Sequence, residues 1–158
     1  MRGRACIALA WAFATAGCAG PDRAAVPGSE AILLDPSGLR VAGTELEIGF
    51  GRSPDGAIAA VTQLVGTPPS RPLIEVPACG ADVTVVTYPG GLSLTFADRM
   101  FTGWRYDGPP DAYRTADGAT VGAPAATLSP AAGLAAETDS DGRIAAISAG
   151  APCAPTLA

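Results

Sequence analysis

The stretch "GRSPDGAIAAVTQLVGTPP", residues 51–69, specifies one element of secondary structure more completely than any other part of the chain. Ser53 is a favoured N-cap residue, and the proline directly after it suits the first position of a helix. Four apolar residues then recur at helical spacing: Ile58, Val61, Leu64 and Val65. Such spacing gives an amphipathic helix one apolar face. Gly66 and the prolines at 68 and 69 stop the pattern, which therefore predicts a helix over residues 54–65.

Short strand patterns precede this helix. The apolar run "AILL", residues 31–34, is followed by "DPSG", which has aspartate, proline and glycine at the positions that a β-turn favours. The stretch "TELEIGF", residues 44–50, then alternates apolar and polar residues, as is typical of a half-buried strand. We expect its apolar members on the buried face: Leu46, Ile48 and Phe50.

After the helix, a polar linker that contains Cys79 leads into three strand patterns between residues 83 and 106. Tight-turn sequences separate these patterns, so we predict an antiparallel meander. Two final strands, joined at residues 139–142, complete a domain of the α+β class.

The segment "ATVGAPAATLSPAAG", residues 119–133, echoes the region around the helix, with a strand end, a glycine and a proline that could open a helix. We therefore predict a shorter second helix, limited by Pro130, and two unequal copies of a strand–helix–strands unit. This layout resembles the tandem α+β repeats of β-lactamase inhibitory protein and the single repeat of a small lipoprotein of the outer-membrane barrel-assembly machinery. The resemblance rests on the residues around the short helices: Gly51, Gly66, Pro68 and Gly122. It spans residues 44–148 and implies an architecture, with no contact residue carried over.

The N-terminus has the three parts of a signal peptide. Arg2 and Arg4 precede an uncharged apolar run, and small residues follow it. The run covers about a dozen residues, fewer than the ~20 that a helix needs to span a bilayer. We therefore predict that residues 1–17 are removed and that residues 31–158 form a single globular domain.

The motif at residues 15–18, Thr-Ala-Gly-Cys, resembles the lipobox of bacterial lipoproteins, with threonine where leucine is usual. The resemblance implies that Cys18 becomes the mature N-terminus, carries acyl chains, and is followed by a flexible tether, so that residues 18–30 attach the domain to a membrane. Ala19 in place of aspartate favours the outer membrane over the inner one, with the domain on the periplasmic face. A signal-peptidase cut after Ala16 is the alternative, and it gives a secreted, untethered domain.

The number of cysteines bears on the same question. Cys6 is lost with the signal peptide, and acylation of Cys18 leaves Cys79 and Cys153 in an oxidising compartment. An even number of cysteines in an exported chain favours a disulfide between these two. The alternative is that Cys79 is an active thiol, although the chain has no histidine or lysine that could activate it.

Composition excludes several kinds of chemistry. The chain has no histidine, which removes the usual Ser-His and Cys-His nucleophiles and histidine-ligated zinc. Its net charge of −5 argues against a nucleic-acid partner. The glycines of "GFGRSPDG" have the wrong spacing for a dinucleotide fingerprint, and "ETDSDGR" lacks the later ligands of a calcium loop. We predict no cofactor and no metal ion.

Aromatic residues concentrate in "MFTGWRYDGPPDAYR". Strict alternation along its strand places Phe101 on the face of Arg105 and turns Trp104 to the opposite face, in the core against the helix. Because tyrosine and arginine are enriched in interface hot spots, we predict that Arg105, Tyr106 and Tyr113 form an exposed interaction patch beside the Pro/Gly loop.

The predicted function is a non-catalytic binding or structural role in the cell envelope, with the membrane as anchor and an envelope protein as partner. One alternative is a soluble secreted domain of the same fold. Another is a small histidine-free enzyme that works through carboxylates, such as Glu45 and Glu47, or through the Cys79 thiol. A further option is that Arg52, next to the helix N-terminus, binds an anion.

Overall fold

In a computed structural model, four segments of the chain are described: residues 32–80, 82–110, 112–129 and 133–153. They contain ten β-strands and one α-helix, which confirms the predicted α+β class. The predicted signal peptide, lipid attachment site and tether, all within residues 1–30, lie outside these segments.

Helix α1 spans Pro54–Val65, as predicted. The Gly56 amide donates a hydrogen bond to the Ser53 hydroxyl at 3.4 Å, and Gly66 ends the helix in the left-handed conformation with φ of 74°. The fully buried side chains lie four residues apart: Ala57, Val61 and Val65. The helix therefore buries a face centred on this row, and Leu64 lies at its flank, only partly buried.

The strands are numbered along the chain as β1 (Ile32–Asp35), β2 (Gly38–Val41), β3 (Glu47–Gly49), β4 (Arg71–Glu75), β5 (Thr84–Thr87), β6 (Leu92–Ala97), β7 (Met100–Tyr106), β8 (Arg114–Thr115), β9 (Ala135–Thr138) and β10 (Ile144–Gly150). They form a smaller sheet in the order β3-β2-β1-β8 and a larger one in the order β4-β5-β6-β7-β10-β9. All pairs are antiparallel except β1 with β8. The predicted meander β5-β6-β7 and the predicted β9–β10 hairpin are both present in the larger sheet.

The main core lies between the larger sheet on one side and α1 with the smaller sheet on the other. Its five largest fully buried side chains are aromatic: Trp104, Tyr88, Tyr106, Phe96 and Phe101. The Trp104 Nε1–H donates to the backbone oxygen of Asp35 at 2.9 Å, which ties the end of β1 to β7. Trp104 is therefore a core residue, as predicted.

A β-bulge in β7 changes which side chains enter this core. The pairing of β7 with β6 shifts by one residue at Thr102, which is an extra residue in β7. Beyond the shift, Phe101 turns to the core face and is fully buried, like Trp104 and Tyr106. The expectation that Phe101 shares the face of Arg105 is wrong, since strict alternation holds only where no residue is inserted.

The expected second helix is wrong: the chain makes a single 3-10 turn there, Ala125–Thr127. The Ala125 amide donates to the Gly142 carbonyl at 3.1 Å, and the Ile144 amide donates to the Ala123 carbonyl at 2.9 Å. The Ala123 carbonyl, which would accept the first hydrogen bond of a helix opened by Pro124, is therefore bonded to the β9–β10 hairpin instead. The segments that the structure describes therefore contain no second strand–helix unit.

The linker between α1 and Cys79 contains an unpredicted strand, β4, at one edge of the larger sheet. Its second residue is Pro72, which cannot donate a backbone hydrogen bond. An edge strand accepts a proline because one side of its backbone has no neighbouring strand. Sequence reasoning missed β4 because the proline argued against a strand and nothing local marked the edge position.

We predict that Gly103 cannot be enlarged, because the C-terminal chain crosses β7 directly over it. A Cβ on Gly103 would lie 2.5 Å from the carbonyl carbon of Ala151 and 2.6 Å from the nitrogen of Pro152. The substitution Gly103→Ala should lower the free energy of unfolding by about 1–3 kcal/mol, the usual cost of overpacking, as measured by urea denaturation. Gly49→Ala is the control, since the nearest atom to a Cβ there is a carboxylate oxygen of the flexible Glu47 side chain at 3.4 Å, and the Ser37 backbone oxygen lies 4.0 Å away. Equal losses in both variants would contradict the tight crossing.

Candidate functional site

The two tyrosines of the predicted interaction patch are not exposed. Tyr106 is fully buried and Tyr113 is 2% exposed, and their rings pack edge to face with centroids 5.2 Å apart. The Tyr106 hydroxyl donates to the backbone oxygen of Pro109. The prediction that these tyrosines are exposed is wrong, because a chain with few aromatic residues uses them to fill its core.

Arg105 lies on the outer face of the larger sheet, away from both tyrosine rings. Its Nη2 donates to a Glu137 carboxylate oxygen at 3.0 Å and its Nε to an Asp107 carboxylate oxygen at 3.4 Å. The hydrogen bond to Arg105 holds the pKa of Glu137 below its usual value. The guanidinium is therefore paired within the chain, and the structure does not bring the predicted patch together.

The structure contains the predicted disulfide between Cys79 and Cys153. Cys153 is buried with Val76 and Val85 in a second, smaller apolar cluster, outside the main core. The Cys153 amide donates to the Thr95 hydroxyl at 2.9 Å, which holds the C-terminal chain on β6. Because the disulfide occupies Cys79, this cysteine is not a free thiol in the oxidised protein.

An open apolar cleft of about 270 Å³ lies between α1 and the strands β2 and β3. Its aliphatic lining residues come from both strands and from the second half of the helix: Val41, Leu46, Ile48, Ala60 and Leu64. Leu46 is 67% exposed, although Ile48, two residues later, is only 4% exposed. The prediction that Leu46 is buried is wrong, because β3 begins only after it and α1 covers Ile48 without covering Leu46.

Arg52 contributes a cation to this cleft, and Gln63 contributes an amide. The Arg52 Nη2 donates to the backbone oxygen of Glu47 at 3.2 Å. Among the ion pairs of the described residues, none involves Arg52. One Glu47 carboxylate oxygen lies 3.4 Å from the position of a Cβ on Gly49. The cleft therefore combines aliphatic walls with Glu47, Gln63 and a guanidinium that has no ion pair among the described residues, and sequence reasoning singled out Arg52 and Glu47 without bringing them to one site.

A second cleft, of about 330 Å³, lies at the start of α1 and is polar. It is lined by charged side chains from four separate places in the chain: Asp55, Glu75, Asp82 and Arg99. Within the described segments, no three carboxylate, cysteine or histidine side chains are grouped so that they could hold a metal ion.

The other carboxylates that the sequence analysis considered do not come together in one site among the described residues. One Asp139 carboxylate oxygen accepts the amides of Asp141 and Arg143, each at 2.9 Å, and so closes the β9–β10 turn. Glu45 and Glu47 are both exposed, and Glu45 precedes β3, so one strand does not hold them as a pair.

Comparisons with known proteins find no relative. No protein-family model, no curated protein sequence and no solved structure matches the chain. The site is therefore argued from its own geometry. In the part of the chain that the structure describes, no helix is long and apolar enough to cross a membrane.

We predict that stability falls at high pH because buried tyrosines resist ionisation. Burial raises the pKa of Tyr113 to about 12 and also raises the pKa of Tyr88. Unfolded tyrosines ionise near pH ~10, so above this pH the unfolded chain binds fewer protons than the folded one. The free energy of unfolding should therefore be unaffected by these groups below pH ~9 and should decrease from pH ~10 towards 12.

Urea denaturation at a series of pH values, with tyrosinate absorbance followed in parallel, measures this effect. Tyr113→Phe should flatten the decrease, since it removes the group whose pKa is raised most clearly. A folded protein whose tyrosines titrate like those of the urea-unfolded chain would contradict the prediction.

Proposed function

We propose that this is an exported, lipid-anchored protein of the bacterial cell envelope whose folded domain has a non-catalytic binding role. In this proposal Cys18 is the mature N-terminus and carries the acyl chains. The domain faces the periplasm, with the outer membrane as the favoured site of attachment and an envelope component as the bound partner.

The observation that carries the proposal is the Cys79–Cys153 disulfide. Disulfides persist in oxidising compartments and are rare in the cytoplasm, which supports export of the chain. The disulfide also uses both cysteines of the predicted domain. Cys18 is then the one cysteine left after removal of the signal peptide, and it stands at the position where the lipobox resemblance implies acylation.

The binding role is supported by the apolar cleft beside α1. Ligand sites in proteins are concave and mostly apolar, with a small number of polar groups that fix orientation. The cleft has this character, with Glu47, Arg52 and Gln63 as its polar residues beside aliphatic walls. Leu46 adds a largely exposed aliphatic side chain that a bound group would cover.

We expect the protein to be recovered from membranes with a chain that starts at Cys18 and carries acyl chains. The intact mass, before and after reduction and alkylation, should show two thiols that react only after reduction, those of Cys79 and Cys153. The substitution Cys18→Ser should move the protein to the soluble fraction and remove the acyl mass, because the thioether cannot form. Cys6→Ser is the matched control and should change neither the fraction nor the acyl mass, since residue 6 is removed with the predicted signal peptide.

Two results would contradict the proposal. An unacylated chain that begins at Gly17 would support a secreted, untethered domain instead. Alkylation of Cys79 without prior reduction would show that Cys79 is a free thiol. The disulfide would then no longer support export, and an active thiol would again be a candidate function.

A further inference from the structure

The geometry points to a ligand for the cleft beside α1: an aliphatic carboxylate of medium length, with its alkyl chain against the aliphatic walls and its head group at Arg52. This inference rests on the proposed binding role and names the class of ligand. It does not depend on the lipid anchor.

The size of the cleft suits a chain of this kind. The cleft has a volume of about 270 Å³. A water molecule in the liquid takes up roughly 30 Å³, so the cleft could hold on the order of nine groups of that size, such as methylenes. The walls formed by Val41, Ile48 and Leu64 offer no hydrogen-bonding side chain. An alkyl chain has no polar group that these walls would leave unpaired.

A peptide segment fits the cleft less well, because its backbone needs hydrogen-bond partners. Peptides that bind at a sheet edge obtain them from the outward-facing groups of the edge strand. Just before β3, the Leu46 carbonyl faces inward and accepts a hydrogen bond from the Val41 amide at 2.9 Å. The Glu47 carbonyl accepts a hydrogen bond from the Arg52 guanidinium, so it is not available to the amide of a further strand. Arg52 therefore occupies part of the edge that an added peptide strand would use.

The charge of the cleft selects an anionic head group. Arg52 is exposed, and its guanidinium donates to a neutral carbonyl oxygen, so this bond leaves its positive charge unbalanced. A guanidinium presents several N–H donors in one plane, which matches the two oxygens of a carboxylate. Glu47 also lines the cleft, but one of its carboxylate oxygens lies 3.4 Å from the position of a Cβ on Gly49, and among the described residues it forms no ion pair with Arg52.

The direct test uses sodium decanoate as the probe and the exported Cys18→Ser protein, which carries no acyl chain of its own. Titration calorimetry should show saturable binding with one site per chain. In the series hexanoate, octanoate and decanoate, the affinity should rise by up to about fourfold for each added methylene, the value for complete burial. Decylamine should bind more weakly than decanoate, because its head group has the same charge as Arg52.

Two pairs of variants locate the site. Ala60→Phe should fill the cleft and lower the affinity for decanoate at least tenfold, whereas Ala59→Phe, on an exposed position of the same helix, should leave it unchanged. Arg52→Gln should lower the affinity for decanoate about tenfold, the effect expected for loss of a charge-assisted hydrogen bond, with little effect on decanol. Arg71→Gln, on an exposed position of β4, is its control.

The inference is overturned if decanoate does not bind, or if Ala59→Phe weakens binding as much as Ala60→Phe. It is also overturned if the protein is a dimer that Leu46→Ser converts to monomers and if decanoate does not change the fraction of dimer. The cleft would then be a contact between two copies of the chain. None of these results changes the mass of the chain recovered from membranes, so failure here and failure of the proposed lipid anchor are distinguishable.

Discussion

The contact between the two sheets centres on Trp104, a fully buried side chain of the shared core whose indole N–H donates to the backbone oxygen of Asp35. A buried indole N–H needs an acceptor, so the turn between β1 and β2 has to stay over β7. This contact places the smaller sheet on the same face of the larger sheet as α1. The bulge at Thr102 adds Phe101 to the side chains that β7 places in this core, beside Trp104 and Tyr106.

The opposite face of the larger sheet is stabilised differently. There the described residues form a small apolar cluster, in which Cys153 packs with Val76 and Val85. The disulfide to Cys79 joins residues 74 apart in sequence. On the loop-entropy model, closing a loop of this length raises the free energy of the unfolded chain by about 4 kcal/mol and so stabilises the folded one. One face of the sheet is therefore held by packing and the other by a covalent constraint.

The parts of the fold that sequence reasoning predicted are those whose signals are local. The cap at Ser53, the apolar spacing and Gly66 all lie within one short stretch, and the helix has the predicted bounds. The disulfide was predicted from the number of cysteines and the compartment. The exposure of Leu46, the burial of Tyr113 and the bulge at Thr102 depend on which distant strands meet, and no local pattern encodes that. The cleft was missed for the same reason, since its walls come from two strands and a helix.

The position of the cleft relates its ligand to the proposed anchor. Ile32, the first residue of β1, pairs with Val41, which is a wall of the cleft, and Val41 in turn bonds to Leu46. Ile32, the first described residue, therefore lies at the same end of the smaller sheet as the cleft. The predicted tether of a dozen residues would reach on the order of 20 Å, so the proposed anchor at Cys18 would keep this cleft near the membrane surface. An aliphatic carboxylate is an amphiphile that partitions to such a surface, so the proposed anchor would bring the cleft to the place where the proposed ligand concentrates.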